Sequence, residues 1–159
     1  MTRTASSSHF TNSGSDEPAV GPPLIGALLR MPWEVVRQRM LERLHERGFD
    51  DLDVPHLNVL QYPGPDGVRP SELAARLRVS KQALNYLLGQ LERLGYLERL
   101  ADQQDMRSRR IFLTRRGHEA LRAIRDAVAE VEAEWAELLG ARRFAQLRAL
   151  LVELSESPS

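Results

Sequence analysis

The sequence predicts a mainly α protein with one small β-hairpin (α+β). A helix-turn-helix is followed by a hairpin wing, and N- and C-terminal helices outside this unit form a dimerisation region. Three observations carry the prediction. Leu84, Leu87, Leu88, Leu91 and Leu94 recur at helical spacing and need a core to cover them. Two short alternating runs, 96–100 and 110–113, flank a charged tip, the pattern of a β-hairpin. Apolar stripes before residue 48 and after residue 120 lie outside that compact middle, and their leucines need a partner surface.

Taken in order, residues 1–20 are rich in Ser and Thr with almost nothing to bury and are expected to be a disordered tail. Residues 21–48 form the N-terminal dimerisation helix: Leu24, Leu28, Met31, Val35, Leu41 and Leu44 keep approximate helical spacing. Pro32 lies inside it and is expected to kink the helix or split it in two. The winged helix-turn-helix unit spans 54–113. It opens on a short helix over 54–62 with Leu57 and Leu60 inward, then a Pro-Gly-Pro-Asp-Gly loop that no helix can cross. Val68 is predicted as a one-residue strand. Pro70 suits the first turn of a helix over 70–77, where its missing N–H is not needed. Arg78-Val79 turns the chain into Ser80, whose hydroxyl can cap the next helix. Two helices joined by so short a turn are a helix-turn-helix. Gly95 fits just past the second helix, where a left-handed residue closes it.

Thr114 is a candidate N-cap for a long helix carrying Leu121, Ile124, Val128, Val131, Trp135 and Leu138. Run to Leu139, that helix measures about 39 Å. Gly140 breaks it. Phe144, Leu147, Leu150, Leu151 and Leu154 then make a last amphipathic helix before a polar end at 155–159. Residues 114–159 are thus the C-terminal dimerisation helices, and Leu24, Leu28, Phe144, Leu147, Leu150 and Leu151 are the residues expected at the dimer contact. Two copies can bury these stripes against each other about a two-fold axis.

Charge is distributed unevenly although its sum is zero. Residues 76–116 hold ten basic and four acidic residues, a balance of +6, while 1–75 and 117–159 each come to −3. A basic middle between acidic flanks is the footprint of a localised polyanion-binding surface. The chain has no cysteine, which excludes a disulfide framework, a zinc ribbon and a thiol switch. His9, His45, His56 and His118 show no metal-ligand spacing, and nothing calls for a cofactor. No run of about 18 apolar residues is present, and the N-terminus has no apolar leader, so a cytoplasmic location is expected. There is no glycine-rich phosphate loop, and no nucleophile stands beside an obvious base; the expectation is not an enzyme.

At this point the chain resembles the MarR family of winged helix-turn-helix regulators, over roughly residues 24 to 155. Three blocks carry the resemblance. Ser71-Glu72-Leu73-Ala74 with Val79-Ser80 looks like the family's first helix and turn. Leu91 to Arg99 looks like the end of its recognition helix entering the wing. Asp105-Met106-Arg107-Ser108-Arg109, followed by Leu113-Thr114 and Gly117, looks like its wing signature. The resemblance implies a homodimeric transcription regulator, often a repressor. It also implies binding to a pseudo-palindromic operator in double-stranded DNA and release by a small aromatic or phenolic effector held between the two regions. Arg78 departs from the family, which often has Gly in that turn; left-handed, it costs on the order of 1–2 kcal/mol. Tyr86 and Gly89 depart too, at positions often charged in relatives, so the operator sequence does not transfer.

Within that frame the residues take roles. Ser80 caps the recognition helix. Lys81, beside the positive end of its dipole, reaches a phosphate. Gln82 and Asn85 lie one turn apart and can each pair bidentately with adenine. Tyr86 bonds a phosphate or packs on a thymine methyl. Arg107 at the wing tip enters a narrow minor groove, oriented by Asp105. Arg109, Arg110, Arg115 and Arg116 supply phosphate contacts, and Arg99 is assigned to a structural salt bridge. Trp33, His56 and Tyr62 are the candidate walls of the effector cleft. Two rival readings stand beside this one: a winged helix used for protein contact without DNA, and a constitutive DNA binder without an inducer. The basic wing tip argues against the first, and salt-dependent retention on heparin separates them.

Overall fold

A computed structural model describes residues 23–102 and 107–156. The element order is α1 (Ile25–Glu46), α2 (Val54–Leu60), α3 (Pro70–Leu77), α4 (Lys81–Arg93), β1 (Leu97–Ala101), β2 (Arg109–Leu113), α5 (Arg115–Leu139) and α6 (Ala141–Glu156). The mainly helical architecture with an antiparallel hairpin follows the sequence closely.

The core gathers one face from each central element. Leu57, Val59 and Leu60 of α2, Leu73 of α3, Leu84, Leu88 and Leu91 of α4, Ile111 of β2 and Ile124 of α5 are all buried, with Met40 and Leu44 of α1 closing one side. α3 and α4 are joined by Arg78, at φ 53° and ψ 39°, so the turn does adopt the left-handed conformation that glycine would hold without strain. α4 ends with Gly95 at φ +80°. The Tyr96 N–H reaches back to the Leu91 carbonyl at 2.8 Å, the six-to-one closure of a Schellman motif.

That closure sets the wing. Tyr96 is fully buried and its carbonyl accepts the Thr114 N–H at 3.0 Å, so pairing starts one residue later than expected. Leu97 faces Leu113 and Ala101 faces Arg109. Val68 bridges to Ile111 as a strand stub, tying the loop before α3 to the hairpin. Thr114 caps α5, its Oγ1 accepting from the Gly117 N–H at 3.1 Å. Gly117 is required by proximity: a Cβ there would lie 2.1 Å from the Tyr96 carbonyl oxygen, so a side chain has to displace backbone.

Three expectations need correction. Of the two outcomes expected at Pro32, the split does not occur, and α1 runs unbroken through it. The proline removes one donor from the ladder, but residues 28–32 are exposed, and water can satisfy the carbonyl left over. α2 stops at Leu60 rather than 62, because Tyr62 precedes Pro63 and such a residue is biased out of the helical region. α6 runs on to Glu156, past the start of the expected polar end. The expected tail, 1–20, lies outside the described residues.

α1 and α5 pack antiparallel. Arg39 pairs with Glu134 at 2.8 Å and Arg47 with Asp126 at 2.6 Å, with Arg43 and Glu130 paired between them. The partners step by four residues on both helices. Such exposed pairs each contribute little, but only one antiparallel alignment satisfies all three. α6 buries none of its residues, and Leu24, Ile25, Leu28, Leu147, Leu150, Leu151 and Leu154 are exposed on the single chain, with Phe144 partly covered. Among the described residues, no helix is long and apolar enough to cross a membrane.

Candidate nucleic-acid interface

α4 owes its placement to its two faces. Ser80 Oγ accepts from the Ala83 N–H at 3.1 Å and starts the helix. Leu84, Leu88 and Leu91 then anchor one face in the core. The opposite face carries Lys81, Gln82, Asn85 and Tyr86, all exposed. A cleft of about 330 Å³ runs between this helix and the wing, lined by Arg69, Pro70, Ser71, Lys81, Leu84, Asn85, Ser108 and Arg109. It brings Lys81 and Asn85 of α4 together with Arg109 of β2. Gln82 and Tyr86 stand outside the lining, on the exposed part of the helix. Tyr86 is 66% exposed.

The wing is held by a carboxylate that sequence reasoning did not single out. Asp102, only 2% exposed, takes Arg69 through Nε at 2.9 Å and Nη2 at 2.8 Å, and Arg110 lies 3.6 Å away. The base of the wing is thereby fixed to the residue that precedes α3. The available signal was an acid two residues past the alternating run 96–100, within a basic stretch. Asp105, assigned to orient Arg107, falls outside the described residues. Arg107 itself is exposed at the wing.

Not every arginine assigned to phosphate faces outward. Arg110 donates to the Asp66 carbonyl at 2.8 Å and the Gly67 carbonyl at 3.0 Å, and so clamps the 63–67 loop to the hairpin. Arg116 bonds Asp51 at 2.8 Å and the Tyr96 hydroxyl at 3.0 Å, and lies over the Tyr96 ring at 4.6 Å. Burial, then the hydrogen bond to Asp51, push the Tyr96 hydroxyl up to about 12. Arg116 is therefore part of a joint between the α1–α2 link, the wing base and α5. Arg115 is paired with Glu119 at 3.1 Å and remains almost fully exposed. Arg99 pairs with Glu92 at 2.9 Å, the structural salt bridge expected of it.

The cleft beside α4 is not lined by any of the three candidate effector walls. A second cavity of about 550 Å³, on the other side of the wing, is lined by Pro65, Asp66, Leu100, Ala101, Asp102, Arg110 and Phe112. Neither cavity includes Trp33, His56 or Tyr62. Trp33 and Tyr62 are partly exposed. His56 is buried and both its ring nitrogens are engaged: Nδ1 accepts the Asp53 N–H at 3.0 Å, and Nε2 lies 3.3 Å from Gln90 Oε1. It caps the start of α2, because a side chain three residues into a helix can reach back to the cap.

Comparison with known proteins places this geometry. The sequence model of the MarR family matches residues 50–108. The transcriptional activatory protein BadR of Rhodopseudomonas palustris is 33% identical over 75 residues, 47% of this chain and 42% of BadR; the chain thus matches less than half of that relative's length. Among solved structures, wild-type MarR of E. coli in its apo form is similar with 25% identity and a TM-score of 0.65, over 84% of this chain and 98% of that one. A MarR family protein of Mycobacterium tuberculosis in complex with p-aminosalicylic acid shows 26% identity and a TM-score of 0.61, over 84% and 100% of the two chains. The S. aureus MepR–DNA complex shares the fold at a TM-score of 0.68 and 24% identity, over 86% and 100%.

Proposed function

From the premise that this chain belongs to the MarR family through its residues 50–108, we propose that it is a homodimeric, sequence-specific DNA-binding transcription regulator. The observation that carries the reading is the cleft between α4 and the wing. There Lys81, Asn85 and Arg109 converge beside the exposed Gln82 and Tyr86, while the opposite face of α4 is locked in the core. α4 is the element that enters the major groove, and the wing reaches the backbone or the neighbouring minor groove. Two copies related by a two-fold axis read a pseudo-palindrome. Selection of bound duplexes from a random pool tests this: two inverted half-sites about one helical turn apart are expected, and a pool that stays random overturns the reading.

Arg107 gives a sharper check. A guanidinium is less tightly hydrated than an ammonium and suits a narrow A·T-rich minor groove. Arg107→Ala lowers affinity for the selected duplex about tenfold, roughly 1.4 kcal/mol, with Arg107→Lys recovering only part. The penalty shrinks when the flanking A·T pairs are replaced by G·C. Equal losses on both flanks make Arg107 a plain phosphate contact, and no loss on either removes the wing from the interface.

Repression and release by an aromatic acid complete the reading. The sign of regulation follows from a reporter assay with and without the protein. A small aromatic effector is supported by the p-aminosalicylic acid bound to the M. tuberculosis relative, with Trp33, His56 and Tyr62 as the candidate wall residues. Such an acid quenches tryptophan fluorescence and weakens DNA binding by the same factor that DNA weakens its own binding. A phenolic panel in which DNA changes no ligand affinity leaves a constitutive binder.

A further inference from the structure

Tyr86 is exposed on α4, yet its hydroxyl is tied to the buried interior by a chain of three hydrogen bonds. The Asp53 N–H donates to His56 Nδ1 at 3.0 Å. His56 Nε2 lies 3.3 Å from Gln90 Oε1. Gln90 Nε2 donates to the Tyr86 hydroxyl oxygen at 3.3 Å. The chain runs from the N-cap of α2, past a histidine that is 4% exposed, to the face of α4 assigned to DNA.

The direction of every proton in this chain is fixed by its first member. A backbone N–H can only donate. His56 Nδ1 must therefore be an acceptor, so the ring is neutral and carries its hydrogen on Nε2. That hydrogen needs an acceptor, which sets the Gln90 carbonyl oxygen toward His56 and its amino group toward Tyr86. Tyr86 then accepts from Gln90. A phenol hydrogen stays near the ring plane and has two positions; the one facing the Gln90 amino group is closed by that donor. The remaining position points away from the protein.

We propose that Tyr86 is a donor-only contact to DNA, its polarity imposed through Gln90 and His56 by the cap of α2. The proposal rests on the DNA-binding reading above and adds a selectivity to it. An outward O–H can donate only to an acceptor: a phosphate oxygen, or a base-edge atom such as guanine O6 or N7 or thymine O4, and not the amino groups of adenine or cytosine. His56 and Gln90 act here as positioning residues that touch no DNA. The relay also explains why a histidine, rather than an outward wall residue, stands at position 56.

A double-mutant cycle tests the relay on the duplex that the wild-type protein selects from a random pool. Tyr86→Phe removes only the hydroxyl and should weaken binding about tenfold. Gln90→Glu reverses the polarity: its carboxylate accepts from His56 Nε2–H and from the Tyr86 hydroxyl, so the phenol hydrogen turns inward. In the Gln90→Glu background, Tyr86→Phe should then cost less than about twofold, whatever the added charge does to overall affinity, because the cycle cancels that common term. A tenfold loss in both backgrounds overturns the relay. Comparing the Tyr86→Phe loss on single-base variants of the duplex separates the acceptors: a uniform loss assigns a phosphate, and a loss confined to one base pair assigns a base edge. The His56 tautomer, read from its imidazole ¹⁵N shifts in the free protein, is a second measurement that needs no mutant. The Nε2–H form is expected, and the Nδ1–H form overturns the proposal. No effect of Tyr86→Phe alongside a large effect of Asn85→Ala removes Tyr86 from the interface but leaves the DNA-binding reading intact; failure to select any duplex sinks both.

Discussion

Removal of residues 140–159 yields protein that no longer forms dimers and binds its selected duplex at least about a hundredfold more weakly. The loss follows from where α6 puts its leucines. None of its 16 residues is buried, and Leu147, Leu150, Leu151 and Leu154 remain exposed on the single chain. The first half of α1 has the same property: Leu24, Ile25, Leu28 and Leu29 are exposed, with Leu24 at 82%. An apolar surface of this extent is far more than scattered surface leucines, and it supports the proposed contact between chains. Each leucine fully covered contributes about 1.5–3 kcal/mol, so several in one interface suffice for a stable pair. One recognition helix per half-site binds weakly. Linking two in a dimer raises the effective concentration at the second half-site and gains about 10²–10⁴ in affinity. Light scattering reports the dimer and a titration reports the duplex. Leu147→Glu with Leu151→Glu should reproduce the defect without shortening the chain. Monodisperse dimers that bind as tightly as the full chain would remove α6 from the interface and leave its leucines without a role.

The helices and the wing were legible because they obey simple periodicities. Leu84, Leu88 and Leu91 are buried and Lys81, Gln82, Asn85 and Tyr86 are exposed, as a period of 3.6 residues demands. Caps at Ser80 and Thr114 and the glycine stop at Gly95 lie within a few residues of what they close, so sequence alone locates them. Errors arose where the deciding partner is distant in sequence. Arg110 and Arg116 are expected to contact phosphate, yet residues more than forty positions away, Asp66, Gly67 and Asp51, engage them. Asp102 could not be ranked above its neighbours until the fold brought Arg69 to it across 33 residues. Gly117 likewise answers to a group outside its own helix, the Tyr96 carbonyl that approaches it. α1 continues through Pro32, because a proline in an exposed part of a helix loses one bond that water can replace.

The same division between local and distant partners bears on the sharpest functional test, the contrast between Asn85 and Lys81. Both line the cleft beside Arg109, and both belong to α4, yet their chemistry differs. An amide presents a donor and an acceptor in one plane, the complement of adenine N6 and N7, and each good bidentate pair contributes about 1–3 kcal/mol of discrimination. An ammonium is a point charge that any phosphate satisfies. Asn85→Ala should therefore cost about 1–3 kcal/mol on the selected duplex and almost nothing on random DNA, and it should relax the preference at one base pair in each half-site. Lys81→Ala should weaken selected and random duplexes nearly equally and flatten the dependence of log affinity on log salt by about one unit per subunit. Neither change reaches the core, since both side chains are exposed, so melting temperatures should stay close to that of the parent. Titrations of the two variants on both duplexes, at several salt concentrations, decide the matter. If Asn85→Ala instead lowers selected and random binding alike, the exposed face of α4 holds the backbone rather than the bases, and sequence must be read elsewhere on the wing or by the shape of the DNA.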